Sequence, residues 1–147
     1  MSIKHTIHLH DGRWKKALYP YCKTVEGIVI GIQDSGFRIH GDVAIVLSSD
    51  AEIQTLNKQF RGKDKPTNVL SFENDEEPLG DVILAYETIA REAAEQGKDF
   101  KHHAAHLIIH GILHLMGYNH EVSADAEKME AKEVKILKKL GIANPYV

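Results

Sequence analysis

The sequence predicts one mixed α/β domain, a small four-stranded mixed sheet packed with about five helices. Its 147 residues fit a single domain. Its composition, 43% hydrophobic and 27% charged, is that of an ordinary globular protein. Short strand-like segments are interspersed with longer helix-like ones, the pattern of helices packed on a sheet. Since neither a repeat nor a Pro/Ser-rich linker divides the chain, we treat residues 1–147 as one domain.

Four segments have the pattern of strands. Residues 3–9 alternate apolar and polar side chains, which is typical of a half-buried strand. Three short apolar runs, at 42–47, 68–72 and 80–84, predict the other strands. The acidic residues 73–79 between the last two runs predict an exposed loop.

Four helices are clear from periodicity and end signals. Ser49 and Glu52 have the spacing of a capping box, and Gly97 is suited to end a helix. The segment 102–116 carries apolar residues around nearly its whole circumference, which predicts a buried central helix. The predicted helices are approximately 50–58, 86–96, 102–116 and 123–140.

The fifth helix is predicted in the more ambiguous segment 18–32. Apolar residues spaced from Val25 to Ile32 favour a helix, and Leu18 and Cys22 extend that face backwards. The β-branched run at 28–30 favours a strand instead. We prefer the helix.

Composition limits the class of protein. The net charge of −3 argues against a wholly basic nucleic-acid coat, although it allows a local basic groove. The single cysteine, Cys22, excludes an internal disulfide framework, a zinc ribbon and a CxxC redox pair. The N-terminus lacks the apolar core of a signal peptide, and no apolar run is long enough for a membrane span. We therefore expect a cytoplasmic protein.

Histidine is the unusual feature of the composition, because six of the ten histidines fall between His102 and His120. His110 and His114 are spaced to project from one helix face, one turn apart. Gly117 can end that helix in a left-handed conformation and let His120 fold back. Three imidazoles predict a zinc site with an open fourth position, although they also suit copper, nickel and iron.

This spacing matches the metal-binding half of the metzincin protease pattern, with one difference. Metzincins carry a glutamate general base directly after the first histidine. Here that residue is Gly111, which has no side chain to accept a proton. A peptidase is therefore the least favoured hypothesis.

Three segments resemble the YbeY family of bacterial rRNA maturation factors. Residues 110–120 (HGILHLMGYNH) are similar to the family signature HGxLHLxGYDH, with Asn119 where the family usually has aspartate. Residues 56–72 and 79–82 match two further blocks in the same order, and the resemblance spans roughly residues 40–147. It implies that the central helix presents the histidine triad at a cleft and that Arg61 is a catalytic residue facing it.

The resemblance also implies an activity. We expect a zinc-dependent, single-strand-specific endoribonuclease, with one zinc ion per chain, that acts in maturation of the small-subunit rRNA 3′ end and in ribosome quality control. The expected partners are single-stranded rRNA and the small ribosomal subunit. The alternative is a non-catalytic RNA-binding assembly factor with a structural metal site, which the absence of a base at Gly111 keeps open.

Several residues keep two interpretations. Arg61 and three nearby lysines, Lys58, Lys63 and Lys65, could contact phosphates or could form a solvated loop. The resemblance favours phosphate contact. Asp81 is a possible general base, but a structural role as a strand-end cap is preferred. Phe60, Phe72 and Tyr118 are candidates for stacking on RNA bases, although Phe72 fits the core better.

Overall fold

The computed structural model describes residues 2–37, 40–118 and 123–146. Within those residues the chain forms four strands and six helices. In order they are β1 (Ile3–Leu9), α1 (Arg13–Ala17), α2 (Tyr21–Gln33), β2 (Gly41–Ser48), α3 (Asp50–Arg61), β3 (Val69–Glu73), β4 (Leu79–Ala85), α4 (Tyr86–Gln96), α5 (Phe100–Leu115) and α6 (Ser123–Lys139).

The four strands form one mixed sheet in the order β1-β2-β4-β3. β2 is parallel to both β1 and β4, and β3 is antiparallel to β4. The predicted fold class, a four-stranded mixed sheet with helices packed on it, is confirmed.

Apolar side chains of β4 serve two cores on opposite faces of the sheet. Val82 and Leu84 belong to the main core, which also contains the buried residues of α2, α5 and α6. Ile83 and Ala85 point to the other face and pack with Ile53 of α3. Since alternate residues of a strand face opposite sides, a strand covered on both faces is apolar without alternation. This explains the uninterrupted run in β4.

The segment around residue 20 differs in part from the prediction. The helix preferred for 18–32 is present as α2, but it begins at Tyr21 with Pro20 as its N-cap. Leu18 instead terminates α1, and Cys22 is exposed, so the extension of the apolar face to these two residues is wrong. α1 is the additional helix: it has five residues, too few to show a helical period.

α1 places the single tryptophan in the core. Trp14 is completely buried, and its indole N–H donates to the carbonyl of Ser48 at 2.8 Å. Its ring contacts Tyr86 and Phe100, with centroid distances of 5.7 and 5.4 Å. The side chain therefore joins the end of β2 to the starts of α4 and α5.

α5 is the buried central helix that the sequence predicts. Asp99 caps it, accepting from the backbone N–H groups of Lys101 at 2.9 Å and His102 at 3.3 Å. The helix packs against β3 and β4 on one side and against α4, α2 and α6 on the others. No helix of the described ranges is both long enough and apolar enough to span a bilayer.

Candidate metal and nucleic-acid site

α5 carries five histidines, and four of them form a row along its length. The rings of His110 and His114 have centroids 4.8 Å apart and lie nearly perpendicular to each other. His106 is one turn earlier, 6.4 Å from His110, and His103 lies 6.4 Å beyond it. The first two predicted ligands are therefore neighbours, as their spacing requires.

The turn after α5 follows the prediction as far as the structure describes it. Gly117 has a φ of 100°, a left-handed conformation that glycine adopts without strain. The third predicted ligand, His120, and its neighbour Asn119 lie outside the described residues. Within residues 2–37, 40–118 and 123–146, no cluster of three or more His, Cys, Asp or Glu side chains is placed to hold a metal.

A buried carboxylate on α6 contacts this row of histidines. Glu133 is completely buried, and one of its oxygens, Oε2, lies 2.6 Å from Nδ1 of His110. The other oxygen, Oε1, lies 2.8 Å from Nε2 of His106 and accepts a hydrogen bond from the hydroxyl of Tyr146. Burial disfavours the charged form, but the hydrogen bonds from the two histidines and the tyrosine outweigh it and lower the pKa of Glu133 to about 2.

The sequence analysis missed Glu133, although a signal was present. Glu133 lies on the apolar stripe of α6, four residues after Met129 and three before Ile136, and all three are buried. An acid on the buried stripe of an amphipathic helix needs a polar partner in the core. The histidine-rich α5 is the element that could supply one.

Gly111 is buried where α5 contacts the sheet. A Cβ at this position would lie 2.7 Å from Cγ1 of Val82 and 3.1 Å from Oγ of Ser71. A glutamate here would thus point at β4 and β3. The missing base of the metzincin pattern consequently has a packing explanation.

Arg61 is connected to α5 through β3. Its Nη2 donates to the carbonyl of Ser71 at 2.9 Å, and the Ser71 hydroxyl donates to the carbonyl of Gly111 at 3.1 Å. Two hydrogen-bonded contacts therefore link the predicted catalytic arginine to the residue after His110. The guanidinium also lies 5.2 Å from the ring centre of Phe72.

The three lysines predicted to bind RNA have different surroundings. Lys58 lines an open 730 Å³ groove beside α3, and its ammonium is 3.8 Å from Asp64. Lys63 and Lys65 are exposed in the loop after α3. Asn57 holds that loop, accepting from the backbone N–H of Lys63 and donating to the carbonyl of Lys65.

The remaining candidates separate by burial. Phe60 is 59% exposed, whereas Phe72 is half-buried and its ring packs 5.4 Å from that of Phe60. Tyr118 packs edge-on against Phe37. Asp81 is exposed in the interior of β4, so it is not at a strand end.

His102 and His103, at the start of α5, differ in exposure. His102 is exposed, as expected. His103 is buried, and its Nε2 lies 2.9 Å from Glu92. Burial lowers the pKa of His103 against the opposing effect of Glu92.

Comparisons with known proteins point to one family. A sequence profile of the family described as Endoribonuclease YbeY matches residues 14–141. A relative of that name from Magnetococcus marinus is 51% identical over 72% of this chain and 83% of its own length. Another, from Sphingopyxis alaskensis, is 46% identical over 90% of this chain and 91% of its own.

A solved structure also shares the fold. The solution structure of TM1509 from Thermotoga maritima matches with a TM-score of 0.58 and 30% identity, covering 95% of this chain and 91% of that one. The family match spans α1 to the end of α6 and includes His110, His114, Glu133 and Arg61. The chain therefore belongs to the YbeY endoribonuclease family.

Proposed function

We propose that this protein is a zinc-dependent endoribonuclease that cuts single-stranded RNA at the 3′ end of the small-subunit rRNA, in ribosome maturation and quality control. The observation that carries the proposal is the linkage of Arg61, through Ser71, to the helix on which His110 and His114 are neighbours. The name shared by the relatives supplies the reaction class.

The donor set suits zinc. His110 and His114 supply two imidazoles from adjacent turns, and the predicted third is His120. When bound, the ion supplies Lewis acidity towards a phosphoryl oxygen. Because imidazoles also bind copper, nickel and iron, elemental analysis of protein purified without a histidine tag identifies the metal.

Arg61 is suited to bind a phosphate oxygen. Its side chain is exposed, so guanidinium N–H groups other than the one bonded to Ser71 can face RNA. The bond to Ser71 and the contact with Phe72 restrict its rotation. A guanidinium held in advance loses less entropy when it grips a phosphate.

The surface beside Arg61 favours an unpaired strand. Phe60, largely exposed, offers a ring on which a splayed base can stack, and bases within a duplex are not available for such contact. Lys63 and Lys65 extend the positive charge along the same loop. A ribosomal substrate places the protein in the cytoplasm, with the small subunit as its partner.

A single-turnover cleavage assay on a 3′-extended rRNA fragment tests the proposal. We expect His114→Ala to abolish cleavage and Arg61→Ala to slow it roughly 100-fold, the usual cost of removing one donor to a developing negative charge. Arg61→Lys keeps the positive charge but lacks the planar guanidinium, so its cleavage rate should lie between those of wild type and Arg61→Ala.

Arg91→Ala is the matched control, since Arg91 is exposed on α4 and should leave the rate unchanged. Circular dichroism checks that each variant is folded. Equal cleavage by wild type, His114→Ala and Arg61→Ala would identify a contaminating nuclease and refute the proposal. RNA that wild type binds but never cuts would favour the assembly-factor alternative.

A further inference from the structure

Glu133 is the one acid that is fully buried in the described part of the chain. In that part, no lysine or arginine nitrogen comes within 4.0 Å of its oxygens, and only histidine nitrogens do. A buried charge is costly unless it is compensated. The position of this carboxylate therefore calls for an explanation beyond packing.

The contacts of Glu133 bear on the orientation and tautomer of His110. An ionised carboxylate only accepts hydrogen bonds, so the Nδ1 that lies 2.6 Å from Oε2 must carry the proton. The lone pair of His110 is then on Nε2, on the opposite edge of the ring. Nε2 is thus the nitrogen of this ring that can bind a cation.

His106 and Tyr146 hold the carboxylate in place. Both contact Oε1, which leaves Oε2 directed at His110. Nδ1 of His106 is buried and has no partner in the described residues, so the proton of a neutral His106 belongs on Nε2, where it is donated to Glu133. This arrangement gives His106 a role as a partner of Glu133.

We propose that Glu133 is a positioning residue for the metal ligand His110, with His106 and Tyr146 as its supports. Carboxylates that accept from the second nitrogen of a ligating histidine fix its tautomer and raise its basicity. A cation on Nε2 would also compensate the buried charge. This inference rests on the proposed function, because it takes His110 as a ligand.

A purely structural role predicts a different result. Glu133 joins α6 and the C-terminal Tyr146 to α5. If this were all, removing its charge would change the stability of the metal-free protein and leave the affinity and geometry of the metal site unaltered. Metal binding and stability must therefore be measured separately.

The experiment compares wild type with Glu133→Gln and Tyr146→Phe. Zinc affinity is measured by competition with a chromophoric chelator, and the visible bands of cobalt(II)-loaded protein report coordination geometry. We expect Glu133→Gln to bind zinc about 10- to 100-fold more weakly and to shift the cobalt bands. Tyr146→Phe removes only a support of the carboxylate and should weaken binding about 3-fold or more, below the loss in Glu133→Gln.

Glu127→Gln is the matched control, because Glu127 is exposed on the same helix and should bind zinc like wild type. Urea denaturation of the metal-free proteins verifies folding. If wild type binds zinc and Glu133→Gln binds it equally well with unchanged cobalt bands, the inference is refuted and the proposed function stands. If wild type itself fails to bind zinc, both fail. Should Glu133→Gln not fold, unchanged affinity in Tyr146→Phe decides against the inference.

Discussion

Replacing Gly111 with alanine tests whether packing excludes a side chain beside His110. The new Cβ would lie 2.7 Å from Cγ1 and 3.2 Å from Cγ2 of Val82, closer than non-bonded carbons approach. Val82 is β-branched and stiff about χ1, so it cannot turn both methyl groups away. α5 or β4 would have to move.

The magnitude follows from two opposing effects. Glycine to alanine inside a helix gains about 1 kcal/mol, and overpacking a core costs about 1–3 kcal/mol. Gly111→Ala should therefore range from neutral to about 2 kcal/mol less stable than wild type. Gly27→Ala in α2 is the matched control, since a Cβ there would meet nothing within 4 Å and should stabilise the protein by up to about 1 kcal/mol.

Urea denaturation followed by circular dichroism measures both variants, and a double mutant identifies the cause. Val82→Ala removes both methyl groups that the new Cβ would meet. In that background Gly111→Ala should be neutral or stabilising, which gives a favourable coupling of about 1–3 kcal/mol. If Gly111→Ala stabilised the wild type as much as Gly27→Ala does, the packing explanation for the missing base would be wrong.

Two further predictions concern α5. Asp99→Ala leaves two backbone N–H groups at the start of α5 without their acceptor and should lower the free energy of unfolding by about 1 kcal/mol. This loss is measured as a lower urea midpoint. An unchanged midpoint would contradict the role of Asp99 as the N-cap. Burial lowers the pKa of His103, so the unfolded chain takes up a proton first and stability falls as the pH drops below about 6.5. His103→Gln should lose less melting temperature than wild type between about pH 7.5 and about pH 5.5, and equal losses would refute this assignment.

Local patterns predicted most of the secondary structure. α4 was predicted at 86–96 and lies at those residues. Its end was predictable because Gly97 adopts the left-handed conformation that terminates a helix. Half of the predicted capping box is present: the Ser49 hydroxyl accepts from the backbone N–H of Glu52, but the Glu52 carboxylate accepts from the Ser48 hydroxyl. α1 was missed because one turn and a half of helix carries no periodic pattern.

Local sequence patterns likewise predicted one part of the candidate site, and the other part depends on tertiary packing. The neighbouring positions of His110 and His114 follow from helical spacing alone. The burial of Glu133 depends on His106 and His110, which are 27 and 23 residues away. It could therefore be predicted only with knowledge of how α6 packs on α5. The link from Arg61 to α5 likewise depends on β3, because Ser71 of that strand bonds Arg61 at the end of α3 and Gly111 in α5.

The environment of Trp14 gives the protein a built-in optical probe. It is the only tryptophan of the chain, and its indole is shielded from water by Tyr86 and Phe100. Its emission should therefore shift to longer wavelengths when water reaches the ring. Since the indole contacts residues 48, 86 and 100, which are far apart in sequence, one unlabelled signal reports the assembly of three segments of the fold.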